Sequence, residues 1–371
     1  EQDVADAQAF ASGLLPDPQV SVGFDSVLSP NDPALSAGYA VSLSFDLLSA
    51  LVTRDVDRQA ARATAEKVRL DIAWQEWGTA GQARLLAVRW FYQRRAAALA
   101  RTAADAAERA EARALAAARS RDLNDDEVEA RRIAASEAKN QALTTSREAE
   151  TTRLDLNRIL GLRPEETLVL ADPGVLTAWQ PPDTDQLFET ARTRRLDLRA
   201  LEQGYASQEA TVHRAVLGQY PRIGITLNRA RDTSHVNTFG PAVAFDLPLW
   251  NHNRGEVAIA AADRDRLRAE YAARLHGTRA DIAELVAVLN IDEAARADLA
   301  VQVPELQRIA GAYEQAAARA DVTGPVAETA RAAALDKELT WLALQQSCAE
   351  QRLALAVAAG LPLSESAFSI P

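Results

Sequence analysis

The residues able to carry chemistry are few, and their spacing excludes most chemistries. The four histidines, His213, His235, His252 and His276, are scattered, with no HExxH pair and no cysteine beside them. A zinc site needs about three clustered protein ligands. His235 falls in a polar loop and His252 at a strand-to-helix corner, so both read as surface or capping residues. Cys348 is the sole cysteine, so neither an internal disulfide nor a thiolate cluster can form. It follows Gln345-Gln346-Ser347 on a helical stretch and reads as a small packing residue. No GxxxxGK[ST] loop occurs, and no GxGxxG follows a strand, so the chain carries no nucleotide-driven energy source. These observations argue for no enzyme, no metal and no cofactor. Two acidic turns remain. Asp122, Asp125 and Asp126 surround Leu123-Asn124, and Asp321 precedes Val322-Thr323-Gly324. Gathered in several copies, such carboxylates attract cations. Singly they are solvated residues at helix ends, and Asp321 is then a cap for the helix that starts near Pro325.

The composition narrows the partners. The chain has 371 residues, with 41 Lys+Arg against 52 Asp+Glu, a net charge of −11. A nucleic-acid binder needs a basic face to release counterions, so none is expected. Hydrophobic residues make up 48% but aromatics only 5%, and alanine supplies much of the rest. Small apolar side chains suit close helix packing. The start, Glu1-Gln2-Asp3, has no basic n-region or apolar h-region, and reads as a mature or truncated chain or one without a signal peptide. No uncharged run approaches the roughly 18 residues of a membrane helix, so a helical membrane protein is not expected. A β-barrel, whose signature is only alternation, stays open.

Long helices dominate. Residues 54 to about 119 contain no proline and repeat apolar residues at three- and four-residue steps, with Leu85, Val88, Phe91 and Tyr92 on one face. A helix of that length spans roughly 100 Å and must lie in a coiled-coil-like sheaf. After a break at 120–124, Asn124 caps a second helix whose first turn holds Asp125, Asp126 and Glu127. Gly161 and Pro164 end it near Leu160. The chain then repeats itself. A helix fits residues 183–216, and a very long one runs from 254 to about 319, kinked or interrupted near Pro304. A break at 321–325 leads to a helix that Gly360-Leu361-Pro362 stops. Arg54 corresponds to Arg254, Phe45-Asp46-Leu47 to Phe245-Asp246-Leu247, and Gly161-Leu162 to Gly360-Leu361, an offset of about 200 residues that marks a duplication.

Each half opens with period-two segments. Val20, Val22 and Phe24 alternate with small or polar residues, as do Tyr39, Val41, Leu43, Phe45 and Leu47. So do Ile223, Ile225 and Leu227, and then Val243, Phe245, Leu247 and Leu249. Polar stretches at 26–36 and 228–238 join them into two hairpins. Either a half-buried sheet or a membrane barrel follows. Four strands cannot close a barrel, since about eight are the minimum, whereas three chains together supply twelve. The division is an N-terminal segment 1–16, a hairpin 17–52, and a helical hairpin 53–160 turning near 120–124. A connector 161–182, a helix 183–216 and a hairpin 217–253 follow. A second helical hairpin 254–360, turning near 321–325, and a segment 361–371 complete it. Without a barrel, the same pattern reads as a soluble coiled-coil structural or interaction protein with a small β-sheet.

The run Phe245-Asp246-Leu247-Pro248-Leu249-Trp250-Asn251-His252-Asn253-Arg254-Gly255 resembles the strand-to-helix entry of the TolC-like outer-membrane efflux channels. Pro16-Asp17-Pro18 before an alternating strand resembles that family's first strand. Ala312-Tyr313, the break near Asp321 and the helix to Gly360-Leu361 resemble its second coiled-coil hairpin. The resemblance implies a mainly α fold. Its long coiled-coil hairpins form a periplasmic α-barrel, and four strands per chain contribute to a trimeric 12-stranded β-barrel in the outer membrane of a Gram-negative bacterium. It implies a homotrimer in outer-membrane lipid, a periplasmic adaptor, and an inner-membrane pump of the RND or ABC type. The function implied is a passive exit duct for drugs, metal ions or other toxic solutes, gated at the periplasmic tip. Residues 161–182 and those after Gly360 become an equatorial belt. Asp321, Arg319, Tyr313 and Asp122 become pore and gate residues. Leu123, Asn124, Val322, Thr323 and Gly324 become adaptor contacts, and Trp250 a membrane-interface aromatic. The chain departs from the family in carrying Ala316 where a glycine usually follows the tyrosine and in the offset of Arg319 from the usual latch position.

Overall fold

A computed structural model describes residues 1–26, 37–120, 123–171, 176, 178, 180, 182–246 and 248–362, the side chains of 47–50 excepted. The elements run α1 (Gln2–Ala11), β1 (Gln19–Asp25), β2 (Gly38–Phe45), α2 (Leu47–Arg119), α3 (Asp125–Ile159), α4 (Thr184–Arg194), α5 (Leu196–Leu217), β3 (Arg222–Arg231), β4 (Asn237–Asp246), α6 (Arg254–Ala318) and α7 (Gly324–Ala358). The duplication is visible in this order. Each half has a hairpin, a helix of 73 or 65 residues, a break, and a helix of 35 residues. Both 35-residue helices end on a glycine in the left-handed region, Gly161 at φ 68° and Gly360 at φ 65°. No described helix is both long and apolar enough to cross a membrane.

Contacts divide the chain into two units, residues 1–74 with 195–276, and residues 75–194 with 277–371. The first holds the antiparallel sheet, in the order β1-β2-β3-β4, and a helical cluster tied by polar contacts. Arg54 at the start of α2 donates to the Gly13 carbonyl at 2.7 Å, and Arg69 meets Asp6 of α1 at 2.8 Å. Between α2 and α5, the Thr64 and Ser207 hydroxyls lie 2.8 Å apart. Gln208 of α5 donates to the Ala260 carbonyl of α6 at 3.1 Å. At the head of α5, Asp197 accepts from Arg195 at 2.7 Å and from Arg274 at 3.2 Å. Burial alone would raise this carboxyl, but the hydrogen bonds and charge of Arg195 and then Arg274 outweigh it, and Asp197 sits below the usual carboxylate range.

The second unit is helix on helix. Its largest cluster joins Tyr92 of α2, Leu187 of α4, Ile282 and Leu289 of α6, and Cys348 and Leu355 of α7, with Leu176 of the connector. Leu86 and Trp90 of α2 pack on Ala149 and Leu156 of α3. Alanines meet between α2 and α3 nearer their shared turn, at Ala100, Ala104 and Ala142. A buried ion pair lies inside the large cluster: Arg352 of α7, 1% exposed, donates to Glu293 of α6 at 2.6 Å. Arg296 holds the other Glu293 oxygen at 2.7 Å.

Several expected boundaries move. Within the N-terminal segment, residues 2–11 form a helix. The 183–216 helix is two helices, because Arg195 is extended at φ −64°, ψ 123°. In that conformation its guanidinium lies 4.8 Å from the centre of the Trp74 ring and pairs with Asp197. The helix through Pro304 is not interrupted, and Pro304 itself is exposed. Leu47 begins α2 instead of ending a strand, and Leu249 lies beyond β4. The stretch 228–238, expected as a loop, is mostly strand, leaving only 232–236 to turn. No strand forms among the described residues of the connector. The first hairpin's turn, 27–36, lies outside the described residues, as does Leu247.

Two measurements check this packing. Glu293→Gln strands two arginines, one of them fully enclosed, and should cost about 3–5 kcal/mol in denaturant unfolding. Arg113→Ala, whose side chain is 64% exposed beside Glu328, should cost under about 1 kcal/mol. Burial, followed by the negative charge of Glu293, pushes the Cys348 thiol up to about 12. A maleimide should therefore leave Cys348 unmodified in the folded protein at pH 8 and label it fully in denaturant.

Candidate functional site

The sheet has two chemically distinct faces, and its register keeps them apart across all four strands. Val22 lies opposite Val41, Val41 opposite Arg229, and Arg229 opposite Phe239. The next rows of the same face are Val20–Leu43–Leu227–Pro241 and Phe45–Ile225–Val243, with Ile223–Phe245 last. The opposite face is small or polar, including Gly23, Ala40, Ser42, Ser44, Gly224, Thr226, Ala242 and Ala244. On that face the Ser21 and Ser42 hydroxyls bond, and Ser44 lies 3.2 Å from Thr226. The apolar face is bare: Phe24 is 79% exposed, Phe239 76%, and Val20, Val22, Val243 and Phe245 are all exposed. Every position of β1 is exposed. β1 and β4 are edges with no partner strand among the described residues.

Both hydrophobic strand ends enter helices at one end of the sheet. There Asn251 and Asn253 build the corner. The Asn251 side-chain oxygen accepts the Asn253 N–H at 3.0 Å, and the Asn253 amide donates to the Ala215 carbonyl at 2.8 Å. His252 (φ 47°) and Asn253 (φ 52°) are left-handed, a conformation asparagine tolerates well. His252 is exposed and part of this turn. Trp250, beside it, is 96% exposed, and Tyr220 before β3 is exposed too. Trp250 stands out in the sequence by type, whereas the asparagines that hold the corner do not.

At the far ends of the helical hairpins, the two turns are built differently. Asn124 caps α3, accepting the Glu127 N–H at 2.9 Å, as its spacing indicated. Asp122 lies outside the described residues; Leu123 is half-buried. Asp321 does not cap α7, since the N-cap position belongs to Thr323. Instead the Asp321 N–H closes α6 by bonding to the Ala316 carbonyl at 2.9 Å, while the Ala320 N–H reaches the Ala317 carbonyl at 3.0 Å. That closure puts Ala320 at φ 62°, a region where glycine is at ease and alanine strained. The Asp321 carboxylate is left exposed, 3.6 Å from Arg319. Val322 is half-buried, Thr323 and Gly324 are exposed, and Tyr313 is exposed on the last turns of α6.

Near these turns a groove of about 1120 Å³ runs among α2, α3, α6 and α7. Alanines line much of it, among them Ala103, Ala107, Ala134, Ala138 and Ala327. Glu328 of α7 bridges Arg113 of α2 at 2.8 Å and Arg131 of α3 at 3.8 Å, and Arg331 pairs with Glu314. The Arg331–Glu314 pair ties α6 to α7 within the second hairpin, whereas the Glu328 bridges join the two hairpins. They were not among the candidate residues, because pairing between halves of a duplication has no sequence spacing to reveal it. No metal-binding group of His, Cys, Asp and Glu forms among the described residues.

No protein-family model matches the chain, and no curated protein sequence does. Solved structures do. The outer-membrane channel OprN superposes with a TM-score of 0.77 at 16% identity, over 97% of this chain and 87% of its own. CusC, described in terms of folding and transmembrane channel formation, gives 0.75 at 15% identity over 97% and 87%. The open-state MtrE outer-membrane channel of Neisseria gonorrhoeae gives 0.73 at 18% identity over 98% and 85%. With 97–98% of the chain superposed on such channels, its fold is that of the TolC-like outer-membrane channels.

Proposed function

We propose that the chain is one third of a passive outer-membrane exit duct in a tripartite efflux system of a Gram-negative bacterium. The observation that carries this reading is the four-stranded sheet with one bare apolar face, one small and polar face, and two open edges. In water such a face needs a cover and such edges invite pairing. Copies joined β4 to β1 stay antiparallel and turn the apolar face to lipid. Two copies would make eight strands, whose interior side chains fill. Three is the smallest number that leaves a bore, and the small residues of the inner face keep it clear. Trp250 and Tyr220 then sit at the membrane boundary on the helix side, where amphipathic rings belong.

The helices continue the duct into the periplasm, and their turns form its inner end. Three copies of Asp321, each free of capping duty, ring the narrow end and favour cations, with Arg319, Tyr313 and the acidic turn around Asp122 contributing to closure. Opening requires the tips to splay. The alanine-lined groove is a seat for a helical hairpin of a periplasmic adaptor, by helix-in-groove packing. Leu123, Asn124, Val322, Thr323 and Gly324 lie at its end as contacts. The chain performs no catalysis in this reading. A pump of the RND or ABC type in the inner membrane selects the solute, whether drug, metal ion or other toxic compound, and supplies the energy.

Native mass spectrometry of the detergent-extracted protein should give three times 40.1 kDa; a monomer soluble without detergent would favour a coiled-coil scaffold instead. In planar bilayers the purified protein should show a small, cation-preferring resting conductance. Asp321→Ala should raise that conductance severalfold and reduce the preference. An unchanged closed state and unchanged selectivity would remove Asp321 from the gate.

A further inference from the structure

We propose that Arg229 and Arg231 bind a phosphate-bearing lipid headgroup at the hairpin-tip margin of the sheet. The inference rests on the lipid-facing reading of the apolar face and adds a ligand to it. Both arginines belong to β3, two residues apart, and so point to one face. Register makes it the apolar face: Arg229 lies between Val41 and Phe239, and Arg231 between Tyr39 and Asn237, with Phe24 beyond Tyr39. β3 is an inner strand. Strand pairing with another copy consumes only the edges β1 and β4, so it leaves this face uncovered.

The charge on this face is uncompensated among the described residues. Alternation puts Asp25 and Asp246 on the opposite face. Asp232, in the turn itself, spends one carboxylate oxygen on the N–H groups of Ser234 and Val236, both at 2.9 Å. The Arg231 Nε is buried with no hydrogen-bond partner among the described residues. A second, independent constraint comes from depth. An arginine on the lipid face is strongly destabilising at the bilayer midplane and nearly without cost near the interface. Two together therefore belong at headgroup level. From Arg229 down to Ile223 the strand descends six residues, roughly 20 Å, through an uncharged face. At the usual strand tilt of about 40° this is about 15 Å along the membrane normal, more than half of the roughly 25 Å apolar band of outer-membrane barrels. The aromatic residues Phe45 and Phe245 stand at the lower end of this band, and Phe24, Tyr39 and Phe239 at the upper end. α2, α5 and α6 all attach at the lower end. The arginines thus face the headgroups of the leaflet away from the helices.

The guanidinium supplies the recognition chemistry. Its fixed fork of N–H donors matches phosphate oxygens in pairs, where a lysine offers a point charge. Two forks in adjacent rows, flanked by aromatic side chains that pack on acyl chains, suit a phosphorylated glycolipid better than a zwitterionic phospholipid.

The test uses the full-length protein in detergent, incubated with lipid A, with enzymatically dephosphorylated lipid A, or with phosphatidylcholine, and bound lipid is counted by native mass spectrometry. The wild-type protein should retain lipid A at least about tenfold better than its dephosphorylated form or phosphatidylcholine, whose lone phosphate is balanced by choline. Equal retention of the phosphorylated and dephosphorylated forms overturns the proposal without any variant. Arg229→Gln/Arg231→Gln should abolish the preference, whereas Arg222→Gln, on the opposite face of the same strand, should keep it. An undiminished preference in the double variant also overturns the proposal. Should the double variant not assemble, each single substitution is expected to weaken lipid A retention about threefold, and no change in either overturns the proposal. The duct reading fails separately, by absence of trimer and of conductance.

Discussion

A bare apolar sheet face bounded by two open edges is the constraint from which the rest follows. No described helix lies over it, and β1 is exposed at every position. A sheet in that condition is not a finished core. Its apolar residues gain their transfer free energy only when lipid or another copy replaces water, and its edge N–H and C=O groups are satisfied only by another strand. Closure into a ring meets both needs at once.

The helical part answers a different demand, that of holding helices of 73 and 65 residues side by side with little bulk. Alanine contacts at Ala100, Ala104 and Ala142 let axes approach closely, and the aromatic and leucine residues concentrate in the cluster around Tyr92, Ile282 and Leu355. Polar connections do the pairing elsewhere. Arg89 meets Glu350 at 2.6 Å, and Glu328 links α2, α3 and α7. The Glu293–Arg352 pair links α6 to α7 inside the core. Arginine carries nearly all of these links, consistent with its planar, multiply donating fork.

Much of this was legible in the sequence because its signals are local. Strict alternation at Val20–Phe24 and Tyr39–Phe45 set the faces, and Asn124 followed by Asp125, Asp126 and Glu127 marked a helix start that the structure keeps. Gly161 and Gly360 marked two helix ends. Several failures share a cause: a deciding contact lies far away in sequence. Arg195 breaks a helix because Trp74 and Asp197 hold its guanidinium. Residues 228–231 look like loop, being mostly polar, yet β2 on one side and β4 on the other pair with them throughout. That misreading hid Arg229 and Arg231, which look like solvated loop cations until the register assigns them to the greasy side. Asp321, read as a cap only if it acts singly, is instead the last N–H of the preceding helix, a distinction only backbone bonds reveal.

The end of α6 carries one further implication. Two other helices finish with the same pair of backbone bonds but use Gly161 and Gly360 at the left-handed position, whereas α6 uses Ala320. An alanine there holds on the order of 1 kcal/mol that a glycine would not. The stop before Asp321 is thus a lightly cocked spring, and unwinding a single turn relaxes it. The end of α6 therefore unwinds at a lower cost than either glycine-ended joint.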